Sequence, residues 1–173
     1  MSAPPQPASG QLLELYDDAL PLVYGYLLAR CGQPNLAEDL TAETFLAAVD
    51  AVRRPQPPSV HRGWLIGVAR HKLVDHWRRV GRETAHLRSL PEPPDDADPA
   101  EHGLDSLLAR QTLSRLAPQH RMVLTLRYVD DLPVREVAAL IRRTEQATEG
   151  LLVRARRAFR AAYPDDGGGE RDD

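Results

Sequence analysis

The sequence predicts an all-α protein of two small helical domains joined by an acidic, proline-rich linker. Three observations lead there. Apolar residues recur at helical spacing throughout, and no stretch shows the alternating, β-branched pattern of a strand. The segment RSLPEPPDDADPAEHG, residues 88–103, is rich in Pro and acid and has little to bury, so it separates two periodic regions. The 173 residues suffice for one ordinary domain or two small ones, with lobes over 11–87 and 104–163. The ends, 1–10 and 164–173, read as disordered, and the linker is extended by its own charge.

The elements follow in order. Leu12–Ala19 is a short amphipathic helix, interrupted by Pro21, which starts a second helix running to Arg30. Cys31-Gly32-Gln33-Pro34 stops it. Asn35 is the expected N-cap of the next helix, with Glu38 completing a capping box. That helix buries Leu40, Phe45, Leu46 and Val49, and RPQPPSV (54–60) ends it. Ser59 is the expected start of a helix carrying Trp64, Leu65, Val68, Ala69, Leu73 and Trp77 to Arg79. In the second lobe, helices are expected over Leu104–Leu116, from Pro118 to Val129, and over Pro133–Ile141. After the turn Arg142-Arg143-Thr144, with Thr144 as N-cap, a helix spans Glu145–Ala162, with Leu151, Leu152, Val153, Ala155 and Phe159 inward. A short helix, a tight turn and a longer basic helix form a helix-turn-helix.

Composition narrows the function. No apolar stretch is long enough to cross a bilayer, and MSAPPQPASG has neither the basic start nor the apolar core of a signal peptide. The one cysteine, Cys31, excludes an internal disulfide and a thiolate metal cluster. The expectation is a cytoplasmic protein with no membrane insertion. The net charge of −3 hides strong segregation: −6 over 11–52, +5 over 61–90, −6 over 91–105 and +4 over 135–160. Two basic blocks about an acidic spacer suit two contact points on a polyanion, although Arg-rich faces can also be merely solvated.

Three surfaces stand out. On the last helix, Arg154, Arg156, Arg157 and Arg160 suit phosphates, while Gln146 and Glu149 lie nearer the end that faces base edges. The helix His61–Arg79 combines Arg62, Arg70, Lys72, Arg78 and Arg79 with Trp64 and Trp77, a mixture suited to unstacked single-stranded bases. Both tryptophans could instead be core, the preferred reading for Trp64. The acidic helix 35–52 displays Glu38, Asp39, Thr41, Glu43 and Asp50, a face that could dock on a basic partner or simply be solvated. His71, Asp75 and His76 cluster without a third ligand at metal spacing, and there is no Gly-rich phosphate loop; no metal, cofactor or catalytic residue is expected.

Four motifs in order resemble the extracytoplasmic-function sigma factors of bacterial RNA polymerase. Ala37–Ala48 resembles AEDLxxETFLxA, preceded by the similar Leu15–Gly32. Gly63–Arg70 resembles WLxxIAR, and Asp75–Arg79 the ending DxxRR. Leu116–Tyr128 resembles LPxxxRxxLxLRY, and Arg154–Arg157 the terminal RARR. The resemblance covers nearly everything outside the linker and tails. It implies a first domain that binds the β′ clamp helices of core RNA polymerase through Glu38, Asp39, Thr41, Glu43 and Phe45. It further implies that this domain melts and reads the single-stranded −10 element through Arg62, Arg70, His71, Lys72, Asp75, Trp77, Arg78 and Arg79. The second domain would rest on the β flap and bind the duplex −35 element through Arg142, Arg143, Thr144, Gln146, Thr148, Glu149, Arg154, Arg156 and Arg157. The family also implies an anti-sigma factor as a partner, able to hold the factor at the membrane.

Some positions depart from the pattern. His71 stands where Asn is common, Arg142 where a turn Gly is usual, and QATEGLL (146–152) where GTVKSRL is common. An ATExLLxRAR form occurs in some branches, so the departure implies altered −35 specificity. Two other readings of the chain are a stand-alone helix-turn-helix regulator that does not join polymerase and a metal-dependent hydrolase on His71, Asp75 and His76.

Overall fold

The computed structural model describes residues 7–85 and 106–163, and among these every regular element is helical. The chain divides into two compact units, Met1–Arg79 and Val80–Asp173. The linker 88–103, the tail 164–173 and most of the N-terminal end lie outside the described residues.

The first unit is built on two helices and most of a third, whose last residues pass into the second unit. Helix α1 runs unbroken over Ala8–Cys31, so residues 8–10 join the fold and Pro21 does not divide the helix as expected. Proline deprives the Asp17 carbonyl of its helical partner, but Asp17 and Pro21 are both exposed, so water can serve that carbonyl. On the other side Leu12, Ala19, Val23, Leu27 and Cys31 form one buried stripe that holds the helix together. Gly32 ends it in the left-handed conformation (φ 69°), its N–H donating to the Leu28 carbonyl at 2.9 Å.

Helix α2, Pro34–Val52, begins at Pro34, with Gln33 as an extended N-cap that makes no side-chain cap bond. The Asn35–Glu38 capping box is therefore not formed. A proline in the first position needs no N–H partner and already has helical φ, so the helix starts two residues earlier than a box capped by Asn35 would allow. The buried stripe is Ala37, Leu40, Thr41, Thr44, Phe45, Ala48 and Val52. Leu46 is 66% exposed, contrary to expectation. Two threonines take part in its place, because each hydroxyl donates to its own helix: Thr41 to the Ala37 carbonyl at 2.6 Å, Thr44 to that of Leu40 at 2.7 Å.

Helix α3 spans Arg62–Ala85 and buries Leu65, Ala69, Leu73, Val74 and Trp77. His61, not Ser59, caps it: its ring Nδ1 accepts from the Trp64 N–H at 3.1 Å, and its carbonyl from the Leu65 N–H.

The second unit contains α4 (Ser106–Arg115), α5 (Pro118–Leu124), α6 (Val134–Ile141) and α7 (Glu145–Ala162). Pro118 occupies the first position of α5, as expected. Residues Thr125–Val129 continue α5 as a π-helical turn, which ends with the Asp130 N–H bonded to the Thr125 carbonyl at 3.0 Å. The chain then reverses through Asp131 (φ 52°) and tucks Leu132 into the core. Met122, Val123, Leu124, Leu126, Val137, Ala138, Ile141, Leu151, Leu152 and Ala155 complete that core.

The turn between α6 and α7 is three residues long. Arg142 takes the left-handed conformation (φ 56°), and its N–H and that of Arg143 close the end of α6 on the Ala139 and Ala138 carbonyls. A side chain bearing Cβ is strained there. Arg142→Gly should stabilise the second unit by about 1 kcal/mol. Hydrogen exchange at buried amides of α5 and α7 checks this, with roughly fivefold slowing expected.

Candidate nucleic-acid and polymerase interfaces

On α2 the buried stripe leaves one side free, and Glu38, Asp39 and Glu43 project from it into solvent. Thr41 is not displayed with them, being 5% exposed with its hydroxyl used internally. Phe45 is also buried and packs edge-on against Tyr16, ring centroids 4.9 Å apart. The expected docking set therefore separates into three exposed carboxylates and two residues that shape the surface beneath. Between α1 and α2 lies a shallow apolar groove of about 470 Å³, lined by Tyr16, Leu20, Pro21 and Tyr24 on one side and Glu38, Thr41, Ala42 and Phe45 on the other. Sequence reasoning missed this groove. Its signal was the run of tyrosines on α1 at positions that the core stripe does not use.

On α3 several of the basic residues expected at DNA are held by the protein itself. Arg62 pairs with Asp18 at 2.9 Å, joining the start of α3 to α1. The Arg70 Nε donates to the Tyr26 hydroxyl at 3.3 Å, and Arg30 stacks on the same ring, 3.6 Å from its centroid. Arg78 pairs with Asp75 at 3.5 Å, and Arg79 meets the His76 ring at 3.2 Å. His71 is exposed and Lys72 half-buried. These contacts fix where the cations stand without removing them from solvent. The tryptophans reverse the expectation. Trp77, named as a base contact, is 4% exposed and belongs to the core, whereas Trp64, read as core, is only half-buried. The buried stripe Leu65, Ala69, Leu73 continues at the same four-residue step to Trp77, and position 64 is not part of it. Among the described residues, no group of three or more His, Cys, Asp or Glu is placed to hold a metal ion.

Helix α7 is the basic helix of the second unit. Its N-cap is Thr144, as expected: the hydroxyl accepts from the Ala147 N–H at 3.1 Å. Thr148, named as a DNA contact, is fully buried, and its hydroxyl donates to the Thr144 carbonyl at 2.9 Å. Leu151, Leu152 and Ala155 continue that buried side, while Val153, expected inward, is 41% exposed. The solvent side carries Gln146, Glu149, Gly150, Val153 and Arg154, with Arg142 and Arg143 exposed in the turn before it. Arg156 and Arg157 are half-buried, and Arg156 donates to the Tyr128 hydroxyl at 3.0 Å. Tyr128 had no part in the expected site. It lies in the π turn, which sequence periodicity does not reveal.

A three-helix unit with an acidic second helix and a cationic third, followed by a helix-turn-helix unit, is the architecture of promoter-specificity factors. The Sigma-70 region 2 family matches residues 15–83, and the Sigma-70 region 4 family matches residues 106–159. The chain is 33% identical over 92% of its length to the ECF RNA polymerase sigma factor BldN of Streptomyces coelicolor, and spans 61% of that protein. It is 32% identical to the ECF sigma factor SigC of Mycobacterium tuberculosis, over 91% of this chain and 87% of that one. The solved structure of the sigma factor RpoE of Bartonella quintana with the anti-sigma factor NepR shares the fold, with a TM-score of 0.53 and 21% identity over 91% of this chain and 97% of that one. The chain belongs to the extracytoplasmic-function (ECF) subfamily of RNA polymerase sigma factors.

The tryptophan placement is directly measurable. In the single-tryptophan variants Trp64→Phe and Trp77→Phe, acrylamide should quench the fluorescence of Trp64 and leave that of Trp77 protected. Trp77→Ala should cost the first unit about 3–5 kcal/mol in denaturant unfolding.

Proposed function

We propose that this chain binds core RNA polymerase and directs it to a specific set of promoters, with no chemistry of its own. The observation that carries the reading is the division of labour between the units: an acidic α2 face beside an apolar groove in one, a basic helix-turn-helix in the other, each matched by the corresponding family region.

In this reading Glu38, Asp39 and Glu43 meet basic residues on the β′ clamp helices, while Phe45 and Tyr16 floor the adjoining groove. The exposed Leu46 extends the same contact. On α3, Arg62, Arg70, His71, Lys72, Arg78 and Arg79 follow the −10 strand, with Asp75 orienting Arg78 and the half-buried Trp64 available for stacking. Melting is coupled to binding, because contacts made only to unstacked bases favour the open state. In the second unit, which also rests on the β flap, Arg142, Arg143, Arg154, Arg156 and Arg157 contact phosphates of the −35 duplex, and Gln146 and Glu149 face base edges. The acidic linker carries charge of the sign of nucleic acid toward the catalytic channel. The protein works in the cytoplasm at the nucleoid, and an anti-sigma factor restrains it, as NepR is bound to the sigma factor whose fold it shares. No helix among the described residues is long and apolar enough to cross a membrane.

Run-off transcription with core polymerase on pooled promoter fragments tests the reading. Protein-dependent transcripts from discrete start sites are expected; operator binding without polymerase, and no association with core, would favour a stand-alone regulator.

The electrostatic assignments make two further predictions. Charge reversal at Arg156 and Arg157 to Glu should weaken holoenzyme binding to −35 DNA and reduce the slope of log K against log salt by about 2, roughly one for each arginine that no longer neutralises a phosphate. Binding isotherms between low and physiological salt measure it. Asp39→Arg should reduce affinity for core polymerase by tenfold or more, roughly the effect of placing a like charge in a charged docking surface. Competition against the unaltered factor for core checks it, and circular dichroism should show an unchanged fold.

A further inference from the structure

The solvent side of α7 carries an unexpected charge for a helix assigned to DNA. Glu149 is exposed at the fifth position of the helix, midway between Gln146 and Val153. The three occupy one face, at successive turns. The opposite side, Thr148, Leu151, Leu152 and Ala155, is buried, so this face is the one presented outward. Among the described residues no cation pairs with the Glu149 carboxylate. Beside it, a Cβ added at Gly150 would meet nothing within 4 Å, so the helix is thin at this point and another surface can come close.

A bare carboxylate entering a groove walled by phosphates is repelled. It is tolerated where it accepts a hydrogen bond from a base. The major groove offers two amino donors, cytosine N4 and adenine N6. Adenine places its N7 acceptor beside N6, and that lone pair opposes the second carboxylate oxygen. Cytosine has no acceptor of its own beside N4. Resting on the −35 reading above, we infer that Glu149 is a specificity-determining residue that selects a G·C pair in the −35 element by accepting from the cytosine amino group. The same face then supplies Gln146 for an adenine and the Val153 methyls for a thymine methyl at neighbouring pairs.

The expected discrimination is about 5- to 150-fold for cytosine over other bases at one position, the range of a good base contact. The test uses holoenzyme assembled from the full chain and core polymerase, transcribing a promoter library randomised across the −35 duplex. The unaltered protein should enrich one G·C pair in a fixed orientation. Glu149→Gln keeps the size, removes the charge and adds a donor; it should move the preference at that position alone to adenine. Glu149→Ala should lose the preference there while retaining the flanking ones. Unchanged preferences in both variants would overturn the inference and leave the −35 assignment of the helix standing. A library from which the unaltered holoenzyme enriches no −35 sequence, while still initiating at a fixed −10, would overturn that assignment as well. Both variants lie on an exposed face, and their helical content, read by circular dichroism, should match that of the unaltered chain.

Discussion

The first unit depends on how little side chain lies between α1 and α2. The facing residues include Ala19 and Val23 on one helix and Ala37, Thr41, Thr44 and Ala48 on the other. Small side chains let two helices approach closely, and the two-residue turn at Gly32-Gln33 folds them back on each other. Such contact is possible with threonines only because their hydroxyls are satisfied by their own helix, which spares the desolvation cost of an unpaired group. With that stripe committed inward, the acidic residues of α2 have one place to go. The polarity of this face is thus a consequence of the packing, and the groove beside it is where the helices' larger residues, Tyr16, Tyr24 and Phe45, take over from the small ones.

A comparable economy governs the cations. Arg62, Arg70 and Arg78 each have a partner within the unit, on Asp18, Tyr26 and Asp75. Exposed ion pairs contribute little to stability, about 0–1 kcal/mol. Their larger effect is on side-chain freedom: a guanidinium already held in place loses less entropy when a phosphate arrives. The same holds for Arg156 against the Tyr128 hydroxyl.

Much of this was legible in the sequence. Helix positions, the Gly32 stop, the Pro118 start and the Thr144 cap follow from local chemistry, and the structure shows each. What was not legible turns on which side of a helix faces in. Leu46 and Val153 are apolar and exposed, while Thr41 and Thr148 are polar and buried. A periodicity that counts hydrophobicity assigns all four wrongly, because a threonine bonded to its own backbone packs as an apolar residue. Pro21 reads as a break only if the carbonyl it orphans is assumed buried. The tryptophans are told apart by the four-residue step of Leu65, Ala69, Leu73 and Trp77, which a reading of tryptophan type alone does not see. The π turn leaves no trace in composition at all.

That turn, Thr125–Val129, makes the length of this segment a constraint. A π turn closes its hydrogen bonds from residue i to i+5 and so holds one residue more than the α-helical path it replaces. Deleting one residue there would rejoin the ladder as plain α-helix and rotate the downstream chain by roughly 100°. Tyr128 would swing away from Arg156, and Leu132 would leave its place in the core. The segment is therefore one at which alignments of relatives should tolerate substitution far better than a change in length.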